Sequence, residues 1–424
     1  MKAPLISTVL RRGGAAAHVA GSQVALAASN YVLLAIAARH LDPAGFAAVS
    51  AYYLLINTVG RGLFAAVELE TTRAVAAGAH GMRDALRHTG VLLVGALVLL
   101  GLAAPLLTGG VATVVLLAVG AVTMAASYLI RGPLAGRQRY GRYAATFWIE
   151  AAAGLVGAVV LTVVDEHATA AWIAVLAVAP ALAPLVLWAR VRGGAPGLEE
   201  CHPAATGSEE GHPAATGGRT TGGCTTGGRP PEGRAPVGPV LWSAALLLAS
   251  QGVWNLAPVL ATARLADAAA LAAGFTTVAV VVRAPVLLFP TIQAMLLPRL
   301  AGGARTPRAL MAAVAAAGLV WVALATVAVP FVATLVFATT TPPPAWVVAV
   351  LALSIALGTV AQIAQAQLVA ARRPHAAALA WLGGLVALLA VGLAAAPPVA
   401  AATIGQLAAA GIVLGALVIA GRKP

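Results

Sequence analysis

The stretch Ala268–Pro298, AAALAAGFTTVAVVVRAPVLLFPTIQAMLLP, is long and apolar enough to cross a lipid bilayer, since a membrane-spanning helix needs about 20 apolar residues. It carries Arg283 near its middle, followed by Pro285 and Pro290. An arginine at the centre of such a helix costs about 2.5–3.5 kcal/mol, and each proline removes a backbone donor. A charge beside an interrupted helix is typical of a transporter's central site. Pairing that only holds two helices together is the alternative interpretation.

The overall composition extends the membrane interpretation to the whole chain. Hydrophobic residues make up 61% of the sequence and charged residues 9%, whereas soluble domains have about 25% charged residues. The formal net charge of +13 does not indicate nucleic-acid binding, because the charges lie between apolar segments and form no continuous basic face. We therefore expect a polytopic protein whose partner is the lipid bilayer, with no nucleic acid and no cofactor.

Hydropathy predicts an all-α membrane protein of about twelve transmembrane helices. A first helix is favoured over a cleaved signal peptide, because its apolar run is longer than a signal's core of about 7–15 residues. The predicted spans are 15–38, 44–67, 90–107, 110–130, 144–164, 169–189, 239–262, 268–297, 310–330, 346–370, 375–395 and 400–420.

The distribution of basic residues predicts the orientation of the spans. If the N-terminus is cytoplasmic, all but four of the 26 Lys and Arg residues fall on the cytoplasmic side, as the positive-inside rule requires. Arg131 is counted there, in the turn after the fourth span. Of the four exceptions, Arg39 and Arg264 lie in outer turns, and Arg61 and Arg283 lie within spans. Both termini are therefore predicted to be cytoplasmic.

A polar segment divides the chain into an N-lobe (1–189), a linker (190–238) and a C-lobe (239–424). The linker is rich in Gly, Thr and Pro and contains a tandem repeat, so we expect it to be disordered. Its two Cys and two repeated His residues match no compact zinc-binding spacing, so no metal site is predicted. The residues concerned are Cys201, His202, His212 and Cys224.

The two halves resemble each other. Asn30, Ala38, Arg39 and Asp42 match Asn255, Ala263, Arg264 and Asp267 at one constant offset. Ser22-Gln23 and Ala44-Gly45-Phe46 find similar matches in the second half. Because each half has an even number of spans, a duplication would give two parallel repeats. We therefore expect two six-helix lobes whose relative tilt opens one side of the membrane or the other.

Polar residues within the spans are candidates for a substrate cavity, since they must face protein or water. Tyr53, Asn57, Arg61 and Glu68 share one face of the second span, given their helical spacing. Bonding between helices is the alternative for the amides, and a partial snorkel toward the cytoplasm, helped by Glu68, is the alternative for Arg61. The candidate cavity residues are Arg283, Arg61, Asn57, Gln23, Asn30, Gln251, Asn255, Gln362 and Gln365.

Two acids, Glu150 and Glu68, are candidates for ion coupling or for charge pairing. Glu150 could neutralise Arg61 or Arg283, or carry a proton. The deepest charges are nevertheless arginines, and arginine binds phosphate through two parallel charge-assisted hydrogen bonds. An anionic, phosphorylated substrate therefore fits better than a cationic drug.

Enzymatic and ATP-driven functions are disfavoured. The outer turns are too short to hold the acid or base of a membrane glycosyltransferase, and no Gly-x-x-x-x-Gly-Lys-Ser/Thr motif occurs. The interpretation is a transporter without covalent chemistry.

Three segments resemble a known family. They are the external turn Arg39–Phe46, the connection Ile130–Ala144, and Arg283-Ala284-Pro285 followed by Met295–Pro298. They are similar to the O-antigen and polysaccharide flippase branch of the multidrug/oligosaccharidyl-lipid/polysaccharide (MOP) exporter superfamily. The resemblance implies a V-shaped pair of six-helix lobes, as in the multidrug and toxin extrusion (MATE) transporters of that superfamily.

The resemblance also implies a function. It implies a multi-pass protein of the bacterial plasma membrane that flips an undecaprenyl-pyrophosphate-linked oligosaccharide from the inner to the outer leaflet. Partners would include the polymerase and glycosyltransferases of the same polysaccharide pathway. Cavity arginines, here Arg283 and Arg61, would meet the pyrophosphate. The alternative is a MATE-type cation-coupled antiporter of small soluble compounds.

Overall fold

The structure is a computed structural model that describes residues 3–76, 82–104, 110–193, 237–288, 308–371, 373–394 and 396–422. All regular structure within these ranges is helical. The N-lobe helices are α1 (Ala3–His40), α2 (Pro43–Val59), a π-helical turn (Gly60–Phe64), α3 (Ala65–Ala76), α4 (Met82–Ala103), α5 (Gly110–Gly136), α6 (Tyr140–Val163) and α7 (Thr169–Gly193). The C-lobe helices are α8 (Val237–Arg264), α9 (Ala269–Val282), a 3₁₀ turn (Ala284–Leu288), α10 (Arg308–Leu335), α11 (Ala345–Ala370), α12 (Pro374–Gly392) and α13 (Pro398–Arg422).

The described residues form twelve membrane crossings. Eleven of the helices are long and apolar enough to span a bilayer, and the remaining crossing runs through α2, the π turn and α3. Local sequence explains how that crossing begins. Asp42 accepts a hydrogen bond from the Gly45 N–H at 2.7 Å and Pro43 occupies the first turn, which are the residue types preferred at a helix start.

The two lobes repeat one packing plan. In the N-lobe, α1 packs along α6 and α5 packs along α7. In the C-lobe, α8 packs along α12 and α11 packs along α13 in the same way. The first helix of each lobe therefore lies beside the fifth, and the fourth beside the sixth. This agrees with the predicted all-helical architecture of two parallel six-helix repeats.

The lobes meet mainly along the second crossing, because α2 packs on α8 and α9, and the π turn and α3 pack on α8. The approach is closest at Gly62, where an added Cβ would lie 2.7 Å from the Cα of Leu248. A glycine at this position is therefore required by the contact between backbones.

Side chains also join the lobes at the end of the molecule where α1 finishes, here called the Arg39 end. Arg39 donates hydrogen bonds to the carbonyls of Leu335 and Val336, and the Val336 bond is 3.0 Å long. Phe46 and Phe337 lie with ring centroids 6.4 Å apart. The predicted topology places this end outside the cell.

The structure corrects one boundary of the predicted spans. The fourth span continues through Pro133 to Gly136, so Arg131 lies inside α5 and is only 2% exposed. The prediction that Arg131 belongs to a cytoplasmic turn was wrong. The eighth span is interrupted after Val282, at the predicted break beside Pro285.

Several predictions fall on parts of the chain that the structure does not describe. Residues 289–297, which complete the predicted eighth span, lie outside the described residues. Most of the predicted linker, residues 194–236, does so as well, together with its Cys and His residues.

Candidate functional site

A cavity of about 530 Å³ lies between the lobes, with walls from α1, α2, α3, α5, α6 and α7 on one side and from α8, the α9 end and α11 on the other. Eight of the nine predicted cavity residues line it, together with both predicted acids. They are Gln23, Asn30, Asn57, Arg61, Gln251, Arg283, Gln362 and Gln365, with Glu68 and Glu150. The spans thus bring these side chains to one place, while their role in binding stays a prediction.

The polar stripe of the second crossing forms one wall of the cavity. Tyr53, Asn57, Arg61 and Glu68 all line it. Asn57 donates its Nδ2 hydrogen to the Tyr53 carbonyl one turn earlier, at 2.8 Å. The π turn Gly60–Phe64 interrupts the stripe at Arg61, and such insertions are frequent at functional sites. Among the described residues, the Arg61 guanidinium has no hydrogen-bond or ion-pair partner.

Arg283 enters the cavity from the broken end of α9. It occupies the C-cap with φ −79° and ψ −2°, directly before the 3₁₀ turn. Its Nε is buried without a hydrogen-bond partner, and no carboxylate of the described residues pairs with it. Arg61 and Arg283 lie within electrostatic reach of each other. Two like charges, neither of which is paired with a carboxylate of the described residues, therefore face one cavity.

The third arginine of the cavity wall, Arg131, is fully paired. It binds Glu150 at 2.6 Å and Thr146 at 3.0 Å, and its guanidinium lies 4.1 Å from the ring centre of Phe147. The structure therefore corrects the suggested pairing of Glu150 with Arg61 or Arg283. The two partners lie on adjacent helices, where α5 continues past its predicted end.

Glu68 is held differently from Glu150. It accepts a hydrogen bond from the Tyr143 hydroxyl at 2.6 Å, and no basic residue of the described ranges lies within ion-pair distance. It faces the same cavity. Of the two acids in the cavity wall, Glu68 is therefore the one without an ion-pair partner among the described residues.

Apart from Arg283, the polar side chains of the C-lobe wall are neutral and are mostly amides. Trp381 donates its indole N–H to Gln365 at 2.6 Å, which fixes that amide. The Gln362 amide oxygen is buried without a partner. Asn255, predicted to line the cavity, is instead fully buried in the C-lobe and contacts Gln251 at 3.5 Å. The reason is that α8 is enclosed on most of its faces, so a polar residue on it need not reach the cavity.

A second, apolar depression of about 960 Å³ lies between α1 and the helices α9 and α10; we call it the lateral groove. It shares Ala27 with the central cavity. Arg39 is its only charged lining residue among the described ones. The other lining residues include Val24, Val32, Ile36, Val281, Pro285, Val332 and Phe337. The site thus joins a polar, arginine-bearing cavity to an apolar groove.

Sequence reasoning named Tyr53 but missed three other tyrosines of this region. Tyr31, Tyr128 and Tyr143 line the groove or the cavity, and the Tyr31 hydroxyl donates to the Val280 carbonyl across the lobes at 2.7 Å. The available signal was that Tyr31 follows the polar candidate Asn30 directly and is the one aromatic residue in span 15–38.

Solved structures share this fold. An inward-facing multidrug resistance MATE family transporter of the MOP superfamily aligns with a TM-score of 0.55 and 12% identity, covering 95% of this chain and 97% of that one. A MATE transporter in a bent conformation aligns with a TM-score of 0.53 and 12% identity over 96% and 94% of the two chains.

A third similar structure is a MOP superfamily transporter from Pyrococcus furiosus, with a TM-score of 0.53, 13% identity and coverage of 96% and 94%. It is described as having a binding pocket of reverse polarity that suggests a different function. Searches against protein families and curated proteins returned no match. At these identities the likeness is one of fold, and the fold of this chain is that of the MATE transporters of the MOP superfamily.

Proposed function

We propose that this protein is a transporter that moves an undecaprenyl-pyrophosphate-linked oligosaccharide from the inner to the outer leaflet of a bacterial plasma membrane. The observation that carries the proposal is a pair of arginines, Arg61 and Arg283, that have no ion-pair partner among the described residues and lie in a cavity that adjoins an apolar groove. The proposed orientation places both termini in the cytoplasm.

The chemistry of the arginines favours an anion. A guanidinium withdrawn from water without a counter-ion is costly. Arg61 and Arg283 are each half-buried, and they also repel each other. A pyrophosphate supplies two adjacent negative groups that can accept paired hydrogen bonds from both side chains. Binding of the substrate would therefore offset the positive charge of the two arginines.

The lateral groove suits the lipid part of the same substrate. Its lining is apolar apart from Arg39 at one end, and it meets the central cavity at Ala27. An isoprenoid chain in the groove would stay in a hydrocarbon environment while its pyrophosphate reaches Arg283. The amides of Gln23, Gln251 and Gln362 would face the sugars.

Alternating access follows from the two lobes. The cavity extends toward the ends of α3 and α5, where Thr72 and Ala135 line it, and the lobes are joined at the Arg39 end. Tilting one lobe against the other would reverse which end is open. Enzymes of the same polysaccharide pathway would supply and consume the substrate.

A MATE-type antiporter of small soluble compounds is the second candidate. Glu68 favours it, because this carboxylate faces the cavity without a basic partner among the described residues and could bind a coupling cation. The MATE structures named above share the fold. The Pyrococcus furiosus transporter shows that pockets of different polarity occur on it.

The test is leaflet exposure of a fluorescent undecaprenyl-pyrophosphate oligosaccharide in proteoliposomes. We expect wild-type translocation and a fall of at least about tenfold in Arg283→Ala, which is the effect of losing a hydrogen bond to a charged group. Arg264→Ala is the matched control, because Arg264 lies in the same lobe but binds the carbonyls of Gly392 and Ala396. Its rate should stay within about twofold of wild type.

Two outcomes would contradict the proposal. Equal losses in the Arg283 and Arg264 variants would make the role of Arg283 structural. Failure of wild type to move several glycan lipids, combined with cation-driven uptake of a drug by the same vesicles, would establish the antiporter instead.

A further inference from the structure

We propose that Tyr31 is a positioning residue for Arg283, so that the affinity of the cavity for an anion depends on how the two lobes sit against each other. This inference rests on the proposed function, because it takes Arg283 as the anion-binding group. It adds a named link between lobe movement and substrate binding.

The end of α9 creates a need for hydrogen-bond donors. The last carbonyls of a helix have no regular backbone partners, and Pro285 contributes no N–H to this end. The Arg283 N–H reaches the Val280 carbonyl at 3.3 Å, which is a long bond, and the Val286 N–H then closes the 3₁₀ turn on the Arg283 carbonyl at 2.9 Å. The conformation at Arg283 thus depends on how these carbonyls are satisfied.

Two aromatic side chains supply the missing donors. Tyr31 donates its hydroxyl to the Val280 carbonyl at 2.7 Å, and Trp321 donates its indole N–H to the Val282 carbonyl at 3.1 Å. Trp321 belongs to α10 in the same lobe as α9, whereas Tyr31 belongs to α1 in the other lobe. The bond from Tyr31 therefore holds the broken helix end from across the lobe interface.

Tyr31 also lies beside the charges of the cavity. Its side chain is within electrostatic reach of Arg283, Arg61 and Tyr53, and it lines the lateral groove where that groove approaches the cavity. Arg283 follows the Val280 acceptor by three residues, which is less than one helical turn. A change at the Val280 carbonyl is thus transmitted to Arg283 over a very short stretch of backbone.

The consequence concerns the transport cycle. Movement of α1 away from α9 removes the Tyr31 donor, and the long Arg283 N–H bond is then the remaining bond to the Val280 carbonyl among the described residues. The helix end, and with it the direction of the guanidinium, then becomes less well fixed. Anion binding should accordingly be strong while α1 contacts α9 and weak once the lobes separate there.

The chain offers a matched control for Tyr31. Tyr52 makes the same kind of bond, from its hydroxyl to the Leu116 carbonyl at 3.0 Å, but within the N-lobe. Tyr31→Phe and Tyr52→Phe each remove one hydroxyl and keep the ring. They therefore separate the effect of a cross-lobe bond from that of losing a tyrosine hydroxyl.

The experiment measures binding of geranyl pyrophosphate to the full-length protein in detergent by isothermal titration calorimetry at fixed ionic strength. We expect Tyr31→Phe to raise the Kd about fivefold, as the loss of one neutral hydrogen bond allows, and Tyr52→Phe to leave it within about twofold. In an Arg283→Ala background, Tyr31→Phe should have no further effect, because coupled residues are not additive. If Tyr31→Phe yields little folded protein, Tyr31→Met is used in its place, because methionine fills the same part of the groove and has no hydrogen-bond donor.

The outcomes separate this inference from the proposed function. The positioning role would be overturned if Tyr31→Phe left the Kd unchanged, or if it raised the Kd by the same factor in the wild-type and Arg283→Ala backgrounds. Wild-type binding would still support the proposed function. Wild-type binding that survives Arg283→Ala unchanged would overturn the assignment of Arg283 and the role of Tyr31 together. An absence of wild-type binding would overturn the proposed function itself.

Discussion

Arg39 and Arg264 occupy matching positions at the ends of the first helix of each lobe, yet they bind different parts of the molecule. Arg264 binds the Gly392 carbonyl at the end of α12 in its own lobe, and the Ala396 carbonyl in the connection that follows. Arg39 caps α10 of the opposite lobe through Leu335 and Val336. A cation at a helix C-terminus is favourable in both cases. The same chemistry therefore stabilises one lobe and ties the two lobes together.

The interiors of the lobes differ in a similar way. Among the described residues, the N-lobe contains a buried ion pair, Arg131–Glu150. The C-lobe is packed around neutral aromatic side chains, and the ring centroids of Trp254 and Trp381 lie 5.7 Å apart in an edge-to-face arrangement. The two lobes thus share one arrangement of helices but differ in the side chains that pack inside them. The N-lobe should respond to loss of a charge, and the C-lobe to changes of volume.

The largest effect is expected at the N-lobe ion pair. Glu150→Gln or Arg131→Ala should lower the free energy of unfolding by about 3–5 kcal/mol, because each leaves an uncompensated buried charge or its unsatisfied partners. Thermal unfolding in detergent measures the loss. The double variant Arg131→Met/Glu150→Leu is the control and should recover most of the stability. A single variant that costs under about 1 kcal/mol would mean that the pair is solvated.

A smaller effect is expected from added volume in the C-lobe. A Cβ at Gly358 would overlap the Trp254 ring, so Gly358→Ala should destabilise the protein by about 1–3 kcal/mol through overpacking. Gly411 in α13 has open space around it, and Gly411→Ala should be neutral or stabilising by up to about 1 kcal/mol. Equal effects in the two variants, measured by thermal unfolding, would refute the packing argument for the C-lobe.

The comparison of Arg39 with Arg264 predicts that only the Arg39 variant changes the conformation of the protein. Arg39→Ala should raise the ratio of lobe-separated to lobe-closed molecules at the Arg39 end by about threefold, in keeping with the roughly 0.2–1 kcal/mol typical of exposed charged contacts. Arg264→Ala should leave that ratio unchanged.

Distances between spin labels at Ala168→Cys and Thr340→Cys would report the ratio, since both positions are exposed at this end. The background would carry Cys201→Ser and Cys224→Ser. A shift of similar size in the Arg264 variant would show that both arginines act only on stability.

The helical crossings were predictable from sequence because hydropathy and arginine distribution act locally, and the break after Arg283 followed from Pro285. The buried position of Arg131 could not be predicted from sequence, because it depends on Glu150, which lies nineteen residues later on the next helix. The segment Arg131–Gly136 contains Arg, Gly and Pro, so it resembles a turn, but α5 continues to its end.

The faces of the spans were only partly predictable. Gln251 and Asn255 lie four residues apart and were expected on one cavity-facing side. However, 72% of the residues in the apolar stretch of α8 are buried inside the protein. In a helix enclosed by protein on most sides, polarity does not identify the face that meets the cavity. Tyr31 was missed for a related reason, because its acceptor is a backbone carbonyl and leaves no mark in the sequence.

The smallest expected effect is a pH dependence that belongs to the N-lobe alone. His167 lies in the connection after α6, where its Nδ1 is 2.8 Å from the His40 carbonyl and its Nε2 is 3.3 Å from Asp165. The bond to the His40 carbonyl and then the Asp165 charge raise the pKa of His167 above its ordinary value of 6.5. The matching C-lobe connection, 393–397, has no titratable side chain.

Because the folded-state pKa of His167 is raised, its contribution to stability is complete below the unfolded pKa of about 6.5 and is lost as pH rises through the folded value. The difference in Tm between wild type and His167→Gln should therefore be largest near pH 6 and shrink toward pH 8.5. The imidazole is fully exposed, so the difference should be small and should decrease with added salt. A difference that stays constant with pH would show that His167 acts through its hydrogen bond without its charge, and the two lobe connections would then differ in shape alone.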